Sequence, residues 1–219
     1  RSLNCARTLT STTRARVSPV LGAPEARATT ALESRSRFRP SIGGHLKPYE
    51  ANDIRNVLLV GHGGSGKTTL LEAMLFTSGA TTRMGTVEDG NTVSDFEPEE
   101  IKKGISVSLG MAPVEWNGVK INVLDAPGYA DFIGDVRTAI RAVDAVVLVV
   151  SAVDGVEVQT EVAWELAVEA ELPRAIMINK LDRERASFER TLEQLVQSFG
   201  TQVAPLELPL GEEHDFEGV

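Results

Sequence analysis

The chain reads as an α/β domain: a mostly parallel sheet with helices on both faces and one antiparallel edge pair. Three observations predict this. From residue 56 onward, short apolar runs alternate with longer helix-patterned segments, as βα units do. The first apolar run feeds a glycine-rich loop that opens directly into a helix pattern. Finally, Asn117-Gly118 separates two strand-like runs, a two-residue hairpin signal that places one antiparallel pair at an edge.

The elements follow in order. Residues 56–60 are a buried strand and residues 66–77 a helix. Residues 78–104 are polar and glycine-containing, and so long an irregular segment inside a compact domain is usually functional or disordered. Its acidic run, Asp95-Phe96-Glu97-Pro98-Glu99-Glu100, reads as a solvated face. Strands are predicted at 106–116 and 119–124, a helix at 131–143, a buried strand at 145–150 and a helix at 156–170. A strand at 174–178, a helix at 186–199 and a last strand pattern at 203–208 complete the series. Trp116 and Trp164 read as packing residues, and His45 and His214 as solvated ones.

Composition bounds the possibilities. With 219 residues, 42% of them hydrophobic, the chain can bury a full core, as one domain with a tail or as part of something larger. A single cysteine, Cys5, excludes a disulfide framework within this chain and fits a reducing compartment. The longest apolar run, near 145–150, is too short to span a bilayer, and no Cys/His spacing reads as a zinc site.

Charge is split along the chain. Residues 1–47 hold nine Lys/Arg and two acids, net +7, while the remainder carries −16, giving the total of −9. The acidic globular part argues against direct DNA binding through a broad basic surface, and no membrane partner is expected. The first segment, taken as 1–50, is rich in Arg, Ser, Thr and Ala. Three readings of it stay open: a disordered arm, an organelle transit segment, or non-native sequence.

Three motifs carry chemistry. The first, Gly61-His62-Gly63-Gly64-Ser65-Gly66-Lys67-Thr68, fits G-x-x-x-x-G-K-[ST] between a strand and a helix. Its glycines let backbone N–H groups curl around phosphate oxygens, and the helix N-terminus adds about half a positive charge. Lys67 can reach β and γ phosphates, and the Thr68 hydroxyl, followed by Thr69, can ligate Mg²⁺. The second, Asp125-Ala126-Pro127-Gly128, ends a strand with an acid suited to Mg²⁺ and a glycine whose N–H can approach a γ-phosphate. The third, Asn179-Lys180-Leu181-Asp182, ends another strand. A carboxylate at Asp182 can accept from the guanine N1–H and 2-amino group, a donor pair that adenine lacks. Asn179 can bridge base and loop, and the Lys180 stem can pack on the base face.

Together these motifs resemble the elongation factor G family of translational GTPases, and within it the bacterial elongation factor G-like paralogues. The likeness covers about residues 47–219. It extends through the Gly61-His62 loop start, Lys103-Gly104-Ile105-Ser106 (the family has Arg-Gly-Ile-Thr in switch I) and the switch II stretch from Asn117-Gly118 through Asp125 to Phe132. It continues in Ser151-Ala152-Val153-Asp154-Gly155 and Pro173-Arg174. The resemblance implies a P-loop GTPase domain at 51–219, incomplete at its C-terminus, with an inserted subdomain opening near 201–219. It implies GTP and GDP as ligands, Mg²⁺ on Thr68, Ser106 and Asp125, the ribosome as partner, and catalysis through Lys67, Gly128 and Tyr129. It implies a cytoplasmic location, or an organelle if residues 1–47 are a transit segment.

The departures from that pattern matter. The family has His after D-x-P-G to orient the attacking water; here Tyr129 stands there. A phenol can hydrogen-bond a water but supplies no imidazolium. The family's phosphate loop carries an apolar residue and then Asp where this chain has Gly63 and Gly64. Ser106 keeps the switch I hydroxyl without the methyl, and the fourth base-binding motif, a Ser-Ala-Lys/Leu turn, is absent. Two functions therefore compete: a GTP hydrolase acting on the ribosome, and a GTP-dependent binding module with little hydrolysis. A generic P-loop ATPase is opposed by Asp182. His62 reads as a structural loop residue.

Overall fold

The structure is a computed structural model that describes residues 48–95 and 97–219. The expectations for residues 1–47, His45 and Cys5 among them, lie outside the described residues.

Five strands form one sheet: β1 (Ile54–Val60), β2 (Gly110–Trp116), β3 (Val119–Asp125), β4 (Ala145–Ser151) and β5 (Arg174–Asn179). Their spatial order is β2-β3-β1-β4-β5. Every neighbouring pair is parallel except β2 and β3, which the Asn117-Gly118 hairpin makes antiparallel. Both turn residues take positive φ, 49° and 84°, as a type I′ turn requires. Central β1 pairs with β3 and β4, so Leu59 lies opposite Asp125 and Val60 opposite Leu148. The parallel strands therefore end together at one edge of the domain, where α/β sheets bind ligands.

Side-chain alternation along β1 builds two cores. Leu58 and Val60 face a cluster with Leu124, Val146, Leu148, Ala163 and Ala167. Leu59 faces the other side, with Leu71, Leu75, Ala112, Val114 and Val123. The second layer is closed by α1 (Lys67–Thr77). The first is closed by α3 (Ile133–Ala139) and α4 (Val158–Glu169). Beside α4, α5 (Phe188–Phe199) contributes Leu195 and Phe199, and Trp164 of α4 stacks on Phe199 at 4.3 Å between centroids. The Arg174 guanidinium also lies over the Trp164 ring, 4.9 Å from its centroid. Trp164 is thus a packing residue and His214 an exposed one, both as the sequence predicts.

Five expectations need correction. The 78–104 segment is not wholly irregular: it holds α2 (Pro98–Lys103), with Pro98 in the first turn, a Glu97/Glu100 capping box and Gly104 at φ 64° closing it. The strand expected from 106 begins at Gly110, because residues before it turn back to hydrogen-bond Glu100. No strand forms at 203–208: Leu206 is 97% exposed, so the apolar alternation there meets no partner. Trp116 is about half exposed at the sheet edge rather than packed. The expected 131–143 helix is shortened to α3, with 3-10 turns at Ala130–Phe132 and Ile140–Ala142 tightening its ends.

Leu148 is fully buried between the layers. Leu148→Ala is expected to lower the unfolding free energy by about 2–5 kcal/mol in urea titration, whereas Leu206→Ala is expected to stay within about 0.5 kcal/mol. Similar losses for the two would contradict this layering.

Candidate functional site

A cleft of about 900 Å³ opens at the strand ends and is lined by all three motifs: residues of the β1–α1 loop from Gly63 to Thr69, Gly128 and Tyr129 after β3, and Asn179, Lys180 and Asp182 after β5. The sheet order explains the convergence. β3, β1, β4 and β5 lie side by side with their carboxyl ends together, so residues far apart in sequence meet there.

The phosphate loop is held at both ends, by main chain at Gly61 and by the Asn179 side chain at Gly66. Gly61 takes φ 145°, and a Cβ on it would collide with the Val149 carbonyl of β4. Gly66, at φ 97°, would carry its Cβ into the Asn179 amide. That amide donates from Nδ2 to the Ser65 carbonyl at 3.0 Å, tying the third motif to the first. Asn179 therefore reaches the loop, as the sequence predicts. Lys180 takes φ 63°, an uncommon conformation for a non-glycine residue, which turns the chain so that Asp182 reaches the rim. The Asp182 carboxylate is exposed, 3.8 Å from Arg183 Nε.

Lys67 is buried and its ammonium donates to the Gly61 and His62 carbonyls at 3.1 and 2.9 Å. Burial pulls its pKa down to about 8, against the opposing pull of Asp125 and Asp95. Asp125 is buried opposite it, pushed up to about 6 by burial, although hydrogen bonds from Thr68 and Ser94 and the Lys67 charge favour its ionised form. Thr68 Oγ1 donates to Asp125 Oδ2 at 2.7 Å and lies 3.2 Å from Ser106 Oγ. Asp125 Oδ1 is buried without a hydrogen-bond partner. Thr68, Ser106 and Asp125 thus form one group of hard oxygen donors with an unspent carboxylate oxygen, a chemistry that suits Mg²⁺. Among the described residues no group of three or more His, Cys, Asp or Glu stands ready to hold a metal on its own.

His62 is buried with both ring nitrogens unpartnered, its Nε2 3.6 Å from Asp154 Oδ2. Burial outweighs the Asp154 charge and lowers its pKa from the ordinary value, so the pair is not ionic at neutral pH. The geometry supports the structural loop reading of His62.

The acidic run is where composition misleads. Asp95 and Glu100 are buried, not solvated. Glu100 accepts from the N–H groups of Glu97, Val107 and Ser108. Asp95 lines the cleft, and burial raises its pKa while a Ser106 hydrogen bond opposes the rise. Glu72 of α1, which the motifs do not include, is buried and accepts from the N–H groups of Gly85 and Val93. Its signal lies in the helix pattern: Thr68, Leu71, Glu72 and Leu75 share one face. Glu72 therefore ties the long 78–109 segment to α1, while Glu100 closes the segment on itself. The chain end also contributes, since Glu212 and Glu213 accept from the N–H groups of Phe188 and Arg185 in the loop that follows Asp182.

Fold and site together define a phosphate-loop nucleotide-binding domain. Residues 52–213 match the elongation factor Tu GTP binding domain family. The chain is 43% identical over 159 residues to an elongation factor G-like protein of Mycobacterium tuberculosis (strain CDC 1551 / Oshkosh), covering 73% of this chain and 22% of that protein. It is 41% identical over 164 residues to the mitochondrial ribosome-releasing factor 2 of Meyerozyma guilliermondii, covering 75% and 20%. A crystal structure of a Thermus thermophilus protein superposes with a TM-score of 0.71 at 45% identity, covering 74% of this chain and 24% of that one. The chain belongs to the elongation factor G family of translational GTPases. It spans about a fifth of the length of these curated relatives. Among the described residues no helix is long and apolar enough to cross a membrane.

The raised Asp125 pKa has a testable consequence. Its folded-state value lies above the unfolded one, so its stabilising contribution is complete at low pH and is lost as pH rises through about 6. Without nucleotide, the stability of wild type relative to Asp125→Asn is expected to fall by about 3 kcal/mol between pH 3.8 and 6 and then level off. A flat difference across that window, measured by urea unfolding, would refute the buried carboxylate.

Proposed function

We propose that this domain binds GTP with Mg²⁺ and hydrolyses it to GDP and phosphate, driving a switch on cytoplasmic or organellar ribosomes. The observation that carries the reading is the single cleft in which a phosphate loop, a strand-end acid and an Asn-Lys-Leu-Asp turn meet, joined by the Asn179–Ser65 hydrogen bond. Asp182 at the rim faces the base and selects guanine by its two adjacent donors. The N–H groups of residues 63–69 cradle the phosphates, and Gly61 and Gly66 keep that loop in shape. Lys67 leaves the carbonyls of Gly61 and His62 to bond β and γ oxygens. Thr68, Ser106 and Asp125 would hold Mg²⁺, which would supply charge neutralisation on the phosphate oxygens. Gly128 N–H meets the γ-phosphate from the switch II side. Water attacks the γ phosphorus, the bond to the β–γ bridging oxygen breaks, and the proton leaves with phosphate. Residues 201–219 are read as the opening of an inserted subdomain.

Guanine selectivity is tested by titrating the domain with GDP and ATP: GDP is expected to bind far more tightly, and Asp182→Asn to lose guanine and gain xanthine nucleotide. Equal GDP and ATP affinities would sink the assignment. Lys67→Ala is expected to abolish measurable nucleotide binding, and unchanged affinity would reduce the loop to a structural turn.

One observation favours a second reading, a GTP-dependent ribosome-binding module with slow hydrolysis. Tyr129 stands at the water-orienting position and is 44% exposed. Loss of one positioned group costs roughly 10²–10³ in rate, so turnover with ribosomes is expected to be slower by about that factor than in Tyr129→His. A fast wild type whose Tyr129→Phe variant is inactive would instead make the Tyr129 hydroxyl catalytic.

A further inference from the structure

The glycines of the phosphate loop are not there for one reason. Gly61, Gly64 and Gly66 all take positive φ, where L side chains are strained. Gly63 does not: its backbone would accept any residue. What excludes a side chain at 63 is Tyr129. A Cβ on Gly63 would stand 2.9 Å from the Tyr129 Cζ and 3.1 and 3.2 Å from the flanking ring carbons. The hydroxyl end of the ring therefore lies on bare main chain at Gly63.

The neighbouring contact points the same way. Gly128 also lacks a positive φ, yet a Cβ there would stand 2.5 Å from Lys67 Nζ and 2.6 Å from the Gly63 nitrogen. Residues 128 and 129 thus press on residue 63 twice, once by main chain and once by the ring, immediately beside the Lys67 ammonium.

We propose that Gly63 is a positioning residue for Tyr129: the two form an interlocked pair in which the absent side chain at 63 seats the ring against the phosphate loop and sets the triphosphate end of the cleft. A side chain at 63 and a phenol seated at 129 exclude each other. The part concerning the triphosphate rests on the nucleotide-binding reading above; the seating of the ring does not. The clash is with the far end of a side chain that can swing away, so Gly63→Ala keeps the fold and moves the ring.

The test uses the intact protein with fluorotyrosine placed at 129, in wild type and Gly63→Ala, and follows the ¹⁹F resonance without nucleotide. In Gly63→Ala the resonance is expected to shift and broaden toward its position in an unfolded reference. An unchanged resonance would overturn the interlock, whether or not the protein binds GTP. The second arm measures dissociation of a non-hydrolysable GTP analogue and of GDP from wild type, Gly63→Ala, Tyr129→Ala and the double variant. Gly63→Ala is expected to speed analogue release about tenfold when Tyr129 is present and to have little effect in Tyr129→Ala, with GDP release nearly unaffected throughout. Additive effects of the two substitutions, or equal effects on GDP and the analogue, would overturn the positioning role. If wild type holds no guanine nucleotide, the nucleotide reading fails and the resonance alone decides the interlock.

Discussion

Everything in the cleft depends on how closely neighbouring main chain and a few buried side chains crowd the phosphate loop. Gly61 lies against the Val149 carbonyl, Gly66 against the Asn179 amide, and Gly128 against the nitrogen of Gly63 and the ammonium of Lys67. None of these points admits a Cβ without movement of a strand, a loop or a buried charge. The sheet supplies the neighbours, because β3, β1, β4 and β5 end together. The loop shape is therefore fixed by tertiary contact before any ligand arrives. Such preorganisation avoids the ordering cost that a free glycine loop would incur on binding.

The same crowding desolvates charge. Lys67 has little room to reach water and rests on two carbonyls, while Asp125 is buried beyond it with one oxygen unpartnered. Burial depresses the lysine to about 8 and raises the acid to about 6, each toward its neutral form. A resting site that disfavours both of its own charges is one in which binding groups are held in readiness at a cost in stability.

Much of this is legible in the sequence, for physical reasons that differ by element. The β1 loop and helix are readable because glycine, lysine and threonine at fixed spacing have few other uses, and the hairpin because Asn117-Gly118 suits positive φ at two successive residues. The strand ends bearing Asp125 and Asn179 follow from apolar runs with abrupt polar stops. The switch segment misleads because local composition cannot show where acids are covered. Asp95 and Glu100 sit in an acidic run that looks solvated, yet the run folds back and Glu100 collects three N–H groups. Pro98 and Gly104 do mark the short helix between them, a signal outweighed by the polar composition around it. At 203–208 the alternation is genuine but no strand edge lies beside it, so Leu206 remains in solvent.

Those buried acids also bear on what must accompany a polyanion. A cleft for phosphates that Asp95 lines, with Asp125, Glu72 and Glu100 buried behind it, looks self-defeating. Their roles separate on inspection. Glu72 and Glu100 spend their oxygens on main-chain N–H groups of residues 85, 93, 97, 107 and 108, so Glu72 tethers the segment to α1 and Glu100 braces it from within. Only Asp95 and Asp125 act on Lys67, which leaves one partly disfavoured cation against two acids. Added phosphate charge would then exceed what Lys67 can balance. A divalent cation, which Thr68, Ser106 and Asp125 could hold, would restore the balance. On the proposed reading, nucleotide and metal enter as one electrostatic unit, and the tethered segment closes on them because Ser106 belongs to both.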